Sequence, residues 1–122
     1  MSRLEGGIKV NHQAKIIDKE KPLISIITVV KNNQRYLDET IQSVLSQTYK
    51  NYEYIIIDGG SKDETLKIIK KYDDKIDFWI SEKDNGIYDA FNKGLSFAKG
   101  DLIGFVNSDD VLTNNALEIL YK

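Results

Sequence analysis

Short apolar runs alternate with amphipathic segments along most of the chain, and this alternation predicts the order of its secondary structure. Four runs rich in β-branched and aromatic residues predict strands at Leu23–Val30, Tyr54–Ile57, Phe78–Ile80 and the first half of Asp101–Asp110. The last run stands between Gly100 and polar residues, so we expect it to be a buried strand. Strands that alternate with helices predict an α/β fold, with a mostly parallel sheet and helices on both faces.

The segments between these strands carry apolar residues three and four positions apart, which is typical of helices. The first helix is predicted over residues 35–47. The second begins at the capping box Ser61–Glu64 and ends near Tyr72. The third is closed by Gly100, and a fourth begins near Thr113. The apolar faces consist of Leu37, Ile41, Val44 and Leu45 in the first helix, and of Ile87, Ala90, Phe91, Leu95 and Ala98 in the third.

Residues 1–21 are more polar than the remainder and end on the charged run Asp18–Lys21. We interpret them as a polar leader, expected to be partly disordered, with one short strand at Ile8–Val10. Pro22 then marks the start of a single domain that spans residues 22–122.

Composition narrows the range of functions. The formal net charge of −2 over 122 residues argues against a surface for nucleic acid or anionic membranes. Without cysteine the chain has no thiol nucleophile and no cysteine ligand for zinc, which fits a reducing compartment. No apolar stretch approaches the roughly 20 residues that span a bilayer, and no secretory signal is recognisable. We therefore expect a cytoplasmic protein without a membrane span.

Two adjacent carboxylates, Asp109 and Asp110, follow the last predicted strand. In open α/β sheets, ligands bind beyond the carboxyl ends of the strands. Neighbouring carboxylates raise each other's pKa unless a cation joins them, and Mg²⁺ or Mn²⁺ shares such sites with substrate phosphates. The alternative is a plain turn or helix start over Asn107–Asp110, because these residue types are good caps and turn formers.

Several motifs follow one another along the chain: Ile24–Thr28 with Asn32, Ser43–Tyr49, Ile57–Asp63, Asn92–Gly94, and Gly100–Asp101 leading to Asn107–Asp110. Their order and spacing resemble the nucleotide-sugar half of a family 2 glycosyltransferase, which has the Rossmann-like GT-A fold. The resemblance covers about residues 22–122. Asn85–Ala90 together with Asn92–Gly94 resembles the bacterial branch of the family that builds surface polysaccharides.

The resemblance implies transfer of a sugar from a nucleotide-diphosphate donor to an acceptor hydroxyl, with inversion at the anomeric carbon. It implies Mg or Mn as the cofactor. It also implies a glycan or lipid-linked acceptor in polysaccharide or glycoconjugate synthesis, in the cytoplasm or peripherally at the inner face of the membrane.

The resemblance also implies roles for individual residues. The end of the first strand, Thr28–Lys31, would pack on the base of the nucleotide, and Asp58 would lie near the base and ribose. Asn92 matches a helix residue that flanks the donor pocket, and Lys83 or Lys93 would face the diphosphate. The implied nucleotide-sugar-binding residues are Thr28, Val29, Asn32, Asp58, Lys83, Asn92 and Asp109, and the implied metal ligands are Asp109 and Asp110.

Three features depart from the family pattern. Gly59 stands where a second acidic residue commonly contacts the base, so uridine is not assured. Asn107 stands where the acidic motif commonly begins with Asp. The general base lies well beyond the acidic motif in the family. The resemblance therefore implies a domain truncated after that motif, which holds the donor and metal site but lacks the base and has little or no activity alone.

Two other classes of function are open at this stage. A sugar nucleotidyltransferase would show a glycine-rich, basic phosphate loop after the first strand, whereas Val29–Asn33 holds one lysine and no glycine. A non-catalytic interaction domain of the same fold would show no metal-dependent stabilisation by nucleotide. An exposed sheet edge would also favour a homodimer.

Overall fold

In the computed structural model of the protein, residues 3–8 and 21–121 are described, and they form one five-stranded sheet with four helices. The strands are β1 (Leu4–Gly6), β2 (Ile24–Val30), β3 (Tyr52–Asp58), β4 (Phe78–Ser81) and β5 (Leu102–Phe105). The helices are α1 (Leu37–Leu45), α2 (Thr65–Lys71), α3 (Ile87–Phe97) and α4 (Ala116–Tyr121).

The strands lie in the order β1-β4-β3-β2-β5. Strands β2 to β5 are parallel to one another, and β1 is antiparallel to β4 at one edge. Val30 pairs with Asp58 and Asp58 pairs with Ser81, so the carboxyl ends of β2, β3 and β4 are level. Ile27 pairs with Phe105, so β5 runs in the same direction and ends three residues before the end of β2 at Val30. The predicted parallel α/β sheet is confirmed.

Helices cover both faces of this sheet, as predicted. One core cluster joins α1 and α2 to the sheet through residues such as Ile41 and Ile69, and Leu117 of α4 packs there too. The other cluster joins α3 to the opposite face through Ala90. A Cβ atom on Gly94 would lie 2.5 Å from Cγ2 of Ile27, so α3 approaches the sheet closely because position 94 is glycine.

The prediction that the last strand is buried is wrong. Leu102, Ile103 and Phe105 in β5 are 38, 44 and 47% exposed. The reason is that β5 is an edge strand, which pairs only with β2 among the described strands. Its apolar sequence resembles that of the central strands, and the sequence pattern carries no information about which strand is the edge.

Part of the predicted apolar face of α3 is also wrong. Ile87 is 56% exposed and Leu95 is 42% exposed. Ala90, Phe91 and Ala98 pack against the sheet as predicted, and Gly94 and Phe97 contact it as well. The apolar face predicted for α1 is confirmed, with Leu37, Ile41 and Val44 fully buried and Leu45 packed against them.

Two predicted helix caps are replaced by other contacts. The Ser61 hydroxyl donates to the Asp58 carboxylate, and α2 begins only at Thr65, whose amide donates to Asp63 Oδ1 at 2.9 Å. Helix α3 ends at Phe97, before Gly100. The Gly100 amide donates to Ser25 Oγ at 2.8 Å, and a Cβ atom there would lie 2.5 Å from the same oxygen. Gly100 is therefore required for close packing on β2 and does not act as a cap.

Residues 3–8, which the sequence analysis placed in the leader, contribute β1 to the sheet. Arg3 forms an ion pair with Glu82 at 3.2 Å and so fixes this strand beside β4. The strand predicted at Ile8–Val10 is displaced: Ile8 lies in the turn after β1, and residues 9 and 10 lie outside the described ranges. None of the helices in the described part of the chain is long and apolar enough to cross a membrane.

Candidate functional site

An open cleft of about 400 Å³ lies at the carboxyl ends of the parallel strands, between the loop after β2, the β4–α3 loop and the loop after β5. This is the edge at which open α/β sheets bind ligands. The cleft combines an apolar lining with one lysine, one carboxylate and polar side chains. Its lining residues are Val29, Val30, Lys31, Asp84, Gly86, Ile87, Ala90, Asn107 and Ser108.

The acidic loop, residues 107–110, forms a hydrogen-bonded turn directly after β5. The Asp110 amide donates to the Asn107 carbonyl at 3.0 Å, and Asp110 Oδ2 accepts from the Asn107 amide at 3.2 Å. Asp109 and Asp110 are both exposed. Within the described ranges, Asp109 has no hydrogen bond or ion pair. The segment is thus a turn, as the alternative interpretation expected, and it also presents two accessible carboxylates beside the cleft.

Thr40 of α1 and residues on either side of this helix fix the position of this loop. Thr40 Oγ1 donates to the Ser108 carbonyl at 2.9 Å, and the side-chain amide of Asn33 donates to Ser108 Oγ at 2.9 Å. Farther on, the fully buried Gln47 donates to the Thr113 carbonyl at 2.6 Å and accepts from the Leu117 amide at 3.0 Å. Side chains from the first third of the domain therefore hold the acidic loop at Ser108 and the segment after it at Thr113 and Leu117.

The loop fits a hard divalent ion only as a partial site. No group of three or more His, Cys, Asp or Glu side chains that could hold a metal occurs among the described residues. Asp109 and Asp110 offer carboxylate oxygens, the donors that Mg²⁺ and Mn²⁺ prefer. An ion held there would complete its coordination with water and with oxygens of a phosphate-bearing ligand.

Asp58 is buried beneath the surface of the cleft. Its carboxylate accepts from the Ser81 hydroxyl at 2.7 Å, from the Ser61 amide at 3.1 Å and from the Ser61 hydroxyl. These bonds satisfy a charge that would otherwise be costly to bury. They also join the end of β3 to the end of β4 and to the loop that follows β3. In this arrangement the Asp58 side chain stabilises the segments at the carboxyl end of the sheet that surround the cleft.

The other residues that the resemblance implies for binding the base and the donor lie in different parts of the structure. Val29 lines the cleft, whereas the Thr28 side chain lies in the core on the opposite face and is hydrogen-bonded to Tyr54 Oη at 2.9 Å. Asn32, at a positive φ of 51°, accepts from the Lys62 amide at 2.8 Å and so ties two loops together. Asn92 is exposed on α3 and does not line the cleft.

The two lysines implied for the diphosphate, Lys83 and Lys93, lie outside the cleft lining. Lys93 Nζ pairs with Glu82 at 3.2 Å and with Asp89 at 3.4 Å, away from the cleft lining. A hydrogen bond from Arg3, and then contacts with Lys93, hold the pKa of the Glu82 carboxyl below its usual value. Lys83 is exposed, and its side chain does not line the cleft. The lysine in the lining is Lys31, at the end of β2.

Sequence reasoning missed Asp84 as a cleft residue. Its Oδ1 accepts from the Gly86 amide at 3.1 Å, and its carboxylate lies over Gly59. Two features of the sequence could have indicated this position. Gly59 and Gly60 leave space at the end of β3, and an aspartate two residues before a glycine is a common way to begin a helix-entry turn.

Comparison with known proteins assigns the chain to a family. The family model described as Glycosyl transferase family 2 matches residues 25–122. Glycosyltransferase GlyG of Streptococcus pneumoniae serotype 4 is 37% identical over 103 residues, which cover 82% of this chain and 34% of GlyG. The chain thus spans about a third of the length of this curated relative.

Solved structures show the same architecture. S. aureus TarS 1–349, in complex with UDP-GlcNAc, aligns with a TM-score of 0.69 and 27% identity, over 80% of this chain and 29% of that chain. The mannosyltransferase PcManGT from Pyrobaculum calidifontis, in complex with GDP-Man and Mn²⁺, aligns with a TM-score of 0.73 and 20% identity, over 84% of this chain and 33% of that chain. The expected GT-A fold is confirmed.

Proposed function

The chain belongs to glycosyl transferase family 2, and on this premise we propose that its cleft binds a nucleotide-diphosphate sugar for transfer to an acceptor hydroxyl. The observation that carries the proposal is the pair of exposed carboxylates, Asp109 and Asp110, beside an open cleft at the carboxyl end of the sheet. The solved complexes of TarS with UDP-GlcNAc and of PcManGT with GDP-Man support a nucleotide sugar as the ligand class.

The lining of the cleft suits the parts of such a donor. The apolar side chains of Val29 and Ile87 offer contact area for a flat base. Lys31 offers a cation to the phosphates. Asp109 and Asp110 would hold Mg²⁺ or Mn²⁺, which would neutralise the negative charge that grows on the departing nucleoside diphosphate.

Further details of the proposal concern the whole protein rather than the cleft alone. We propose an inverting, metal-dependent transfer of a hexosyl group in polysaccharide or glycoconjugate synthesis, with a glycan or a lipid-linked acceptor. Such a transfer needs a general base within hydrogen-bond reach of the acceptor hydroxyl. We assign that role to no side chain of the described cleft. We therefore expect this chain alone to bind donor and to transfer little or no sugar.

Titration calorimetry tests the proposal. We expect one nucleoside diphosphate among UDP, GDP, dTDP and CDP to bind in the presence of Mn²⁺ and to bind much more weakly without it. Failure of all four to bind with Mn²⁺ would contradict the donor site. Rapid sugar transfer by the purified chain would contradict the expectation that this chain alone transfers little or no sugar.

A further inference from the structure

The carboxylate of Asp84 occupies the space that a side chain at position 59 would fill. A Cβ atom on Gly59 would lie 2.5 Å from Asp84 Oδ2. Asp84 reaches this place from the β4–α3 loop, where its Oδ1 accepts from the Gly86 amide at 3.1 Å. Gly59 is buried and Asp84 is only half-buried, so the carboxylate forms part of the cleft surface above the end of β3.

The order of the strands places Asp84 at the opposite end of the cleft from the acidic loop. The segments that follow β4, β3, β2 and β5 lie side by side, and they contain Asp84, Gly59, Lys31 and Asn107–Asp110 respectively. Neighbouring strands are about 4.8 Å apart, and the Asp84 carboxylate lies over the end of β3, two strand positions from β5, so about 10 Å separates it from the acidic loop. A nucleoside diphosphate whose phosphates lie at the acidic loop would extend its base toward Asp84.

We propose that Asp84 recognises the base of the bound nucleotide through Oδ2, an inference that rests on the proposed donor site. An ionised carboxylate only accepts hydrogen bonds, and Oδ1 is already used by the Gly86 amide. Oδ2 therefore selects a base with a ring N–H donor, as in uracil, thymine and guanine. Cytosine has no ring N–H at the equivalent edge: its ring nitrogen is an acceptor that finds no donor in Oδ2, and only its exocyclic amino group can donate.

Replacing Asp84 by asparagine separates its proposed role in recognising the base from its role in the turn before α3. The amide oxygen of Asp84→Asn can still accept from the Gly86 amide, so the turn before α3 is kept. The new NH₂ group donates where the carboxylate accepted. It therefore repels a ring N–H and offers a hydrogen bond to the ring nitrogen of cytosine.

Titration calorimetry of the whole chain with UDP, GDP, dTDP and CDP in Mn²⁺ tests the inference. We expect Asp84→Asn to weaken binding of the preferred nucleotide, whose base carries a ring N–H, at least tenfold. We expect the ratio of its affinity to that of CDP to shift at least tenfold in favour of CDP. Asp74→Asn, an exposed aspartate outside the cleft, is the matched control and should leave all four affinities unchanged.

A reciprocal exchange provides a second variant. Gly59→Asp alone brings its side chain against Asp84, whereas Gly59→Asp with Asp84→Ala returns one carboxylate to the same space. We expect the double variant to recover the preference for a ring N–H that Asp84→Ala loses. Unchanged base preference in Asp84→Asn and Asp84→Ala would overturn the inference alone. Absence of Mn²⁺-dependent binding by the unmodified chain would overturn the proposed function and the inference together.

Discussion

Individual side chains at the carboxyl end of the sheet divide into those that hold the structure and those left for a ligand. Asp58 and Asp109 each follow a strand predicted from the sequence, and the sequence pattern does not distinguish them. Asp58 is buried because Ser61 and Ser81, from two other segments, surround its carboxylate. Asp109 remains exposed. The positions of such carboxylates can be predicted from strand ends, but their accessibility depends on partners that only the tertiary fold brings together.

Asp58→Ala should therefore act on stability. The substitution removes the acceptor of three hydrogen bonds and leaves the buried Ser81 hydroxyl without it. We expect the free energy of unfolding in urea to fall by about 1–3 kcal/mol, the usual cost of a buried group left unsatisfied. Asp109→Ala, at an exposed position, should stay within about 0.5 kcal/mol of the unmodified protein. Equal stability of the two variants would contradict the structural role of Asp58.

The Asp38 carboxyl gives a prediction for acid pH. A hydrogen bond from Tyr72 Oη at 2.5 Å, and then one from Lys71 at 3.2 Å, lower its pKa below the ordinary value. A lowered native pKa stabilises the fold above the unfolded value of about 3.9, and this contribution is lost as the pH falls through the native pKa. Tyr72→Phe should raise the Asp38 pKa toward its ordinary value.

NMR titration of the Asp38 carboxyl measures this change directly. Urea unfolding at several pH values should also show a weaker dependence on pH in the acid range for Tyr72→Phe. Tyr88→Phe, at a residue that is 81% exposed, is the matched control. An Asp38 pKa that does not move in Tyr72→Phe would contradict the assigned cause.

At the scale of elements, the periodicity of the sequence predicts which segments are strands and helices, because burial of one face determines that pattern. It does not predict how the elements end. Ser61 has the sequence of a cap, but the stronger acceptor beside it, the Asp58 carboxylate, takes its hydroxyl. The exposed β5 edge is missed for a related reason, since strand order depends on contacts far apart in sequence.

The contact of α3 with the sheet depends on Gly94. In Gly94→Ala the new methyl group would lie 2.5 Å from Ile27 Cγ2, so helix and sheet must separate. Overpacking costs about 1–3 kcal/mol, while alanine gains about 1 kcal/mol of helix propensity over glycine. We expect a net loss of about 1 kcal/mol in urea unfolding.

Gly104→Ala in β5 is the matched control for this substitution. Its Cβ would lie 3.3 Å from the flexible end of Ile26, so we expect a smaller loss of stability. A Gly94→Ala protein as stable as Gly104→Ala would show that α3 does not depend on this close approach.

Gln47, just after α1, binds the segment that follows β5. Gln47→Ala leaves the Thr113 carbonyl and the Leu117 amide without their side-chain partner. We expect a loss of about 1–3 kcal/mol in the free energy of unfolding, together with weaker Mn²⁺-dependent nucleotide binding because the acidic loop is less well positioned. Gln42→Ala, at an exposed position of α1, should leave nucleotide binding unchanged. Normal binding by Gln47→Ala would contradict the positioning role.

At the scale of the whole molecule, four segments distant in sequence meet at one edge of the sheet. The βαβ order predicts this meeting, because parallel strands end on the same side. The sequence therefore predicted the edge of the sheet at which the cleft lies, and it predicted the family to which the chain belongs. It did not reveal that Asp84 fills the space above Gly59, since that contact joins the ends of two different strands through a loop.

Thermal unfolding with nucleotide and Mn²⁺ tests the donor-site account most directly. Unmodified protein, Asp109→Ala and the control Asp74→Ala would each be melted with UDP, GDP, dTDP and CDP, with and without Mn²⁺. A ligand at one hundred times its dissociation constant adds about 2.7 kcal/mol of stability, which raises the melting temperature measurably. We predict a shift that requires both Mn²⁺ and one nucleotide, persists in Asp74→Ala and is lost in Asp109→Ala. An equal shift in Asp109→Ala, or no shift with any pair, would contradict the account.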